Sequence, residues 1–289
     1  MTQTIAEAVR LAQQQLAAGD SARLDAELLL AHCLGVDRAT IYREPKRLVP
    51  RSQQQNFSQL VDERRNGVPI AYLTGRAEFY SMSLRVNEHV LVPRPESELI
   101  IDIARDSHAE DKGVISPRVI VDLGTGSGAL ALALAQSFNQ SWVIGVDRSM
   151  VALGIAKENA HRLGIDNISW LKSHWLTSFS FESCVEFAPG LIVSNPPYVE
   201  THELGRRKFE IGHEPELALD GGDDGMDAYR QIVPCAATIL RPGGMLIVEH
   251  GYQQASGVSE LFKQANFHPV KTYRDLSGHD RATAGVRHT

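Results

Sequence analysis

From about residue 115 onward the sequence alternates short apolar runs with longer helical stretches, and few architectures accommodate that rhythm. Val119-Ile120-Val121 leads into "DLGTGSGALALALAQSF", and "SWVIGVD" leads into "SMVALGIAKENAHRLG". "ISWLKS", "LIVSNPPY" and "MLIVEHG" are further short runs, while "GMDAYRQIVPCAATIL" and "QQASGVSELFKQANF" have the length of helices. Strands separated by helices predict an α/β, doubly wound, mostly parallel sheet covered on both faces. The closing segments "HPVKTYRD" and "RATAGVR" predict a terminal hairpin. In such a sheet a ligand sits beyond the carboxyl ends of the strands, so the informative residues are those just after each run.

Ahead of this region the period is helical. "TIAEAVRLAQQQLAAGD" places Ile5, Val9 and Leu16 near one helical face, with Gly19 as a stop. "SARLDAELLLAHCLG" and "RSQQQNFSQLVDERRNG" follow, the second ending on basic residues and Gly67 as helix C-termini favour. "ERR", Glu63 to Arg65, reads as a solvated helix end, with a contact to a partner as the alternative. In "EFYSMSLRVNEHVLVP" the period becomes two, with Tyr80, Met82, Leu84 and Val86 alternating with polar residues, as in a β-hairpin. The expected division is a small N-terminal helical bundle over residues 1–74, a hairpin connector over 75–92 and the α/β domain over 93–289. At 289 residues the chain is long enough for both parts.

The turn after the first strand is glycine-rich. Gly124, Gly126 and Gly128 let the backbone approach a ligand closely and lead straight into a helix, whose free N–H groups can meet an anion such as a carboxylate. The third glycine comes too early for the dinucleotide spacing G-x-G-x-x-G, which disfavours a nicotinamide dehydrogenase. The second strand ends in Asp147, nineteen residues beyond Gly128, where an acid can accept from both ribose hydroxyls or cap the next helix. Turn and acid together favour a nucleoside ligand whose tail carries a carboxylate.

A buried strand that ends in "SNPPYVE" stops abruptly, because proline cannot donate to a sheet ladder. A rigid exit from the sheet is one explanation. The other is a site: Asn195 presents an amide that both donates and accepts, and Tyr198 an aromatic face. The remaining candidates are plainer. Arg94 and Glu96 support either a site or a helix start at Pro95. "DGGDDG", Asp220 to Gly225, lacks the D-x-D-x-D-G calcium pattern and reads as a solvated turn capping the next helix. His161, His174, His213, His250 and His279 show no ligand spacing, and Cys33, Cys184 and Cys235 no pairing, so neither a metal site nor a disulfide framework is expected.

"DLGTGSGALALALA", "GVD" and "NPPYV", in this order, resemble the class I S-adenosylmethionine-dependent methyltransferases. "GVPIAYLTGRAEFYSMSLRVNEHVLVPRPESELI", "EPELALDGGDDGMDAYRQI" and "LIVEHGYQQ" are similar, more narrowly, to the HemK/PrmC-type enzymes that methylate the side-chain nitrogen of a glutamine in peptide chain release factors. The likeness covers nearly the whole chain. "RPESE", Arg94 to Glu98, joined to "NPPY" sets the chain apart from a sister family that methylates a ribosomal-protein glutamine. The resemblance implies S-adenosylmethionine as cofactor, with Gly124, Thr125, Gly126, Ser127 and Gly128 around its methionine end, Asp147 on its ribose and Trp175 by its adenine. It implies Asn195, Pro196, Pro197 and Tyr198 as the site of the substrate amide, with Asn195 also beside the cofactor. It implies a release factor as partner, its glutamine lying in a Gly-Gly-Gln loop, and the helical bundle as the docking surface.

The sequence also departs from the family. His174 stands where an acidic residue is common, so no carboxylate from that position is expected on the adenine amino group. Ser97 replaces the usual threonine, and "TSFSFESCVEFAPG" is a longer link to the fourth strand, read as a surface insertion.

Two rivals remain on the residues alone. Adenine also carries an –NH2 on an sp² carbon, so "NPPY" fits a methyltransferase for a nucleic-acid base, and a glycine turn fits a module that merely binds the cofactor. A base-flipping enzyme needs phosphate-binding cations. Here 29 Lys and Arg face 35 Asp and Glu, a formal charge of −6, so direct nucleic-acid binding is not expected. No apolar run approaches the ~18 residues of a membrane span, and the N-terminus has no signal-peptide pattern. The expectation is a soluble cytoplasmic protein.

Overall fold

A computed structural model describes residues 3–16, 21–108, 117–179, 188–206 and 211–288. Gly19, Cys184 and most of the expected insertion, 180–187, lie outside the described residues. The chain divides into two compact units, residues 1–76 with 208–213, and 77–207 with 214–289. Among the described residues no helix is long and apolar enough to cross a membrane.

The first unit is helical. It contains α1 (Ile5–Gln15), α2 (Ala22–Leu34), α3 (Arg38–Arg43), α4 (Arg51–Arg65) and α5 (Ile70–Thr74). Thr4 and Glu7 form a reciprocal capping box: the Glu7 amide donates to the Thr4 hydroxyl, and Glu7 Oε2 accepts from the Thr4 amide. Ile5, Ala8, Val9 and Ala12 bury one face of α1 against Leu29 and Leu30 of α2 and Phe57 and Val61 of α4. The end of α4 is not simply solvated. Arg64 Nε donates to Asp25 Oδ2 at 2.7 Å, tying the helix to an otherwise buried carboxylate in α2. Two of the helices, α3 and α5, are too short for a hydrophobic period to reveal.

The second unit opens at Ala77, within the hairpin of β1 (Arg76–Phe79) and β2 (Met82–Arg85), whose first residue closes the 1–76 segment of the first unit. Tyr80 lies in its turn and not in the strand alternation, because Phe79 takes the buried position and both Tyr80 and Ser81 adopt positive φ. Glu98, the first residue of α6 (Glu98–Ser107), accepts the Tyr80 amide at 2.7 Å. Then come β3 (Val119–Leu123), α7 (Ala129–Ser137), β4 (Trp142–Asp147), α8 (Met150–Leu163), β5 (Ile168–Lys172), β6 (Leu191–Ser194) and α9 (Thr201–Arg206). They are followed by α10 (Asp227–Ile239), β7 (Met245–Glu249), α11 (Ala255–Gln264), β8 (Phe267–Arg274) and β9 (Asp280–Arg287).

The sheet order is β5-β4-β3-β6-β7-β9-β8. The five strands from β5 to β7 are parallel, and the terminal hairpin enters antiparallel. The doubly wound expectation holds, and period two explains it. Ile120, Leu191, Val193 and Ile247 face α6 and α7, whereas Val121, Leu123, Ile192, Leu246 and Val248 face α10 and α11. The central strands β3, β6 and β7 are therefore largely apolar on both faces, because they have two interiors to fill. Chain direction across the sheet reverses between β3 and β6, which makes their carboxyl ends the topological switch point.

Candidate active site

The glycine turn leaves β3 at this switch point. The amides of Gly124 and Thr125 both donate to Val146 O at 2.9 Å, folding the turn over the end of β4. Gly124, Gly126 and Gly128 have φ of +73°, +55° and +85°, a region that side chains other than glycine's seldom adopt. They do different things. A Cβ on Gly128 would press on Ala156, Leu132 and the Trp170 ring at 3.1–3.2 Å, so this glycine permits close helix–strand packing. A Cβ on Gly126 would meet nothing nearer than Gly124 O at 4.0 Å, so this side of the turn is open.

Below the turn lies Asp122, which is buried. Its Oδ2 accepts from the Thr125 hydroxyl at 2.6 Å and from the Ala131 amide at 3.1 Å, capping α7 from the preceding strand. Burial, with Asp147 nearby, pushes its carboxyl up to about 7. Its other oxygen, Oδ1, is buried without a hydrogen-bond partner. Thr125 and Ser127 are themselves buried, and Asn159 of α8 donates to the Ser127 carbonyl at 2.9 Å while Arg85 of the hairpin donates to Asn159 Oδ1 at 2.7 Å. What Thr125 and Ser127 offer a ligand is main chain.

Asp147 is half-buried, and burial raises its pKa against the pull of the Ser149 amide, which donates to Oδ1 at 2.8 Å, the Gly126 amide, which donates to Oδ2 at 2.9 Å, and the amide and charge of Arg148. It is not the cap of α8, a place that Ser149 takes by accepting from the Ala152 amide. Each of its oxygens retains a lone pair. Trp175 has φ +50°, rare for a bulky residue, and its ring lies 3.5 Å from where a Gly124 Cβ would stand. Strain of that kind persists only where the surroundings impose it. His174 is exposed beside the tryptophan.

The second half of the site leaves β6. Leu123 pairs with Ser194 across β3 and β6, and the Ser194 hydroxyl donates to Leu123 O at 2.8 Å. Gly124 and Asn195 therefore emerge from adjacent strands, which lie about 4.8 Å apart in any sheet. Asn195 Nδ2 donates to Ser97 Oγ at 2.9 Å, and Ser97 Oγ donates to Glu249 Oε2 at 2.5 Å. Tyr198 OH approaches the other Glu249 oxygen at 3.4 Å, and Tyr229 OH donates to the Glu249 carbonyl at 2.9 Å. Burial pushes the Glu249 carboxyl up to about 7, opposed by the Ser97 hydrogen bond and the Arg281 charge. Burial likewise raises the Tyr198 phenol, so it stays protonated.

Tyr198 rests on the segment read from sequence as a solvated turn. A Cβ on Gly221 would fall 2.8 Å from Tyr198 Cα, and one on Gly225 would fall 2.5 Å from Tyr198 O. Val199 donates to Leu219 O and Gly221 to Val199 O, so "DGGDDG" is the backing of the site and only its outer acids are solvated. Asp224 does serve the next helix, accepting from the Met226 amide at 3.2 Å and pairing with Arg230. Pro95 begins a short 3-10 turn that carries Ser97 to Asn195, and Arg94 pairs with the buried Glu214. Sequence reasoning missed Asp122, Glu249 and Asn159. The signal was present in the first two, each an acid inside an apolar run.

The glycine turn, the acid after β4 and the "NPPY" exit at the switch point define a class I methyltransferase, and the residues fit S-adenosylmethionine. An unpaired buried carboxylate oxygen suits a cation, the start of α7 a carboxylate, Asp147 hydroxyl groups and the Trp175 face a base. A methyltransferase domain family matches residues 116–271, and a PrmC N-terminal domain family matches 7–75. The fold is also that of the hMettl16 catalytic domain in complex with an RNA hairpin from MAT2A, with TM-score 0.58 at 12% identity over 84% of this chain and 86% of that one. Release factor glutamine methyltransferases are similar over nearly the full length. That of Shewanella oneidensis is 36% identical over 97% of this chain and 95% of its own, and that of Pseudomonas aeruginosa 39% over 95% and 96%. The chain belongs to the release factor glutamine methyltransferase family.

Proposed function

We propose that this protein transfers the methyl group of S-adenosylmethionine to the side-chain nitrogen of a glutamine in the Gly-Gly-Gln loop of a peptide chain release factor. One observation carries the reading: the "NPPY" ledge and the glycine turn leave neighbouring strands, with Leu123 opposite Ser194. When bound, the cofactor would supply an electrophilic methyl on a sulfonium. The glutamine nitrogen gains an N–CH3 bond as the S–CH3 bond breaks to leave a thioether, and the nitrogen sheds one proton after transfer. The chain's own residues must make a poor nucleophile reactive, because the amide nitrogen's lone pair is delocalised into its carbonyl. Asn195 Oδ1 and the Pro196 carbonyl accept the two amide hydrogens and draw charge onto nitrogen, while the Tyr198 ring covers the amide plane. Pro196 and Pro197 fix φ, which holds the accepting carbonyl in one direction. Orientation of this kind supplies ~7 to 11 kcal/mol of a barrier, and a single aimed polar contact roughly 3.

Gly124 to Gly128 hold the methionine end, Asp147 the ribose and Trp175 the adenine. The helical unit, residues 1–74, provides the docking surface for the release factor in the cytoplasm. The formal charge of −6 supports a protein partner over a polyanion. The test is incubation with labelled S-adenosylmethionine and purified release factor, followed by peptide mass spectrometry. One added methyl on the Gly-Gly-Gln glutamine is expected. Label found instead on RNA or DNA, with release factor untouched, overturns the reading.

A further inference from the structure

Asparagine's side-chain amide is nearly symmetric in shape, so sterics alone do not decide which end faces a ligand. In this protein the decision is made elsewhere. Ser97 and Glu249 are 3% and 1% exposed, and Ser97 Oγ stands 2.5 Å from Glu249 Oε2. A serine hydroxyl owns one proton. Committed to the carboxylate, it leaves the Ser97 oxygen only as an acceptor, and the group it accepts from is Asn195 Nδ2 at 2.9 Å. The Asn195 oxygen is thereby turned away from Ser97. In the opposite orientation the asparagine –NH2 would confront the –NH2 of the glutamine, donor against donor.

We propose that Ser97 and Glu249 are positioning residues, a relay that fixes the polarity of the Asn195 amide so that its oxygen, and not its nitrogen, receives the substrate. The inference rests on the proposed reading of Asn195 as the amide-binding residue. Glu249 can hold this place because other groups steady it: Tyr198 OH on its second oxygen, Tyr229 on its carbonyl and the Arg281 charge on β9. Glu96 is the like charge facing it, and His250, next in sequence, bonds to Thr283 at 2.9 Å and is kept neutral by burial. The relay also has a second state. With a proton on Glu249, the carboxyl donates to Ser97, the serine hydrogen is released toward Asn195, and the asparagine amide reverses.

Two measurements test this. First, Ser97→Ala and Ser97→Thr are compared in single-turnover methyl transfer at saturating cofactor, with cofactor affinity measured by calorimetry. Loss of the hydroxyl should lower the transfer rate by on the order of 10- to 100-fold, leave cofactor affinity within about twofold, and be largely rescued by threonine. Second, the Asn195 side-chain NH2 resonances of 15N-labelled protein, assigned by their loss in Asn195→Ala, are followed with pH and need no substrate. They should shift with a midpoint near 7 in the native chain and not in Ser97→Ala. A Ser97→Ala enzyme of native rate, or resonances indifferent to pH across 5.5 to 8.5, overturns the relay. A chain that methylates no glutamine yet shows the shift refutes the proposed function and leaves the relay standing.

Discussion

Gly145 sits in the middle of β4 with no conformational demand for glycine, and the reason for it is the Trp170 ring on β5. A Cβ at position 145 would stand 2.4 and 2.5 Å from two atoms of that ring and 3.1 Å from Thr125 Oγ1. Carbon atoms prefer about 3.5 to 4.0 Å, so Gly145→Ala must push the indole back by roughly 1 Å. Overpacking of this kind costs typically 1–3 kcal/mol, or roughly 3 to 10 °C in melting temperature for a chain of this size. The displacement also reaches the glycine turn, because the same ring lies 3.2 Å from the space beside Gly128. Thermal melts should therefore show the loss, and calorimetry a weakened S-adenosylmethionine affinity. The mechanism is isolated by a second change: in a Trp170→Leu background the ring is gone, and Gly145→Ala should cost less by about 1 kcal/mol or more. Equal cost in both backgrounds would refute the steric account. Gly154→Ala is the control, because nothing lies within 4 Å of its Cβ and it sits in exposed helix. It should stabilise the protein by about 0.5–1 kcal/mol.

Asn195→Ala should abolish most turnover while calorimetry still detects cofactor binding, since the glycine turn and Asp147 stay intact; a fully active variant removes the asparagine from the chemistry. Trp175→Gly should relieve a left-handed backbone yet weaken cofactor binding about tenfold, without lowering the melting temperature. A large drop in melting temperature with unchanged affinity would make Trp175 a packing residue. Buried Asp122 and Glu249 hold protons in the native chain up to about pH 7, whereas the unfolded chain releases them near 3.8 and 4.5. The stability of the cofactor-free protein should accordingly fall as pH rises from about 4.5 to 7. Asp122→Asn should flatten that slope in melts from pH 5 to 8, and an unaltered slope refutes the assignment.

The fold was legible because the central strands are largely apolar on both faces and most of them are followed by a helix, the pattern of a parallel sheet covered on both sides. The glycine turn and the "NPPY" exit were legible for a related reason: in open α/β sheets ligands bind beyond the carboxyl ends of the strands, and strand ends are visible in a sequence. Three kinds of feature were hidden. The short α3 and α5 contain too few turns to show a period. The Asn195–Ser97–Glu249 relay joins residues from three distant segments, and nothing local in "PESE" or "IVEHG" announces the partner. Asp122 and Glu249 did carry a local signal, an ionisable group where burial is costly, but packing made the apolar neighbours the louder pattern. "DGGDDG" misled because its acids are solvated while its glycines face inward, and only contact with Tyr198 separates the two.

Tyr198, proposed to cover the substrate amide, has its main chain braced by the glycines of the 219–225 segment as well as by the Gln254 side chain, which donates to its carbonyl at 3.0 Å. With Gly221 and Gly225 pressed against the main chain of Tyr198, any residue larger than hydrogen at either position lifts the ring bodily. Efforts to retune which amide this enzyme accepts must therefore redesign positions 198 and 219–225 as one piece, because altering the tyrosine alone leaves its platform dictating where the replacement sits.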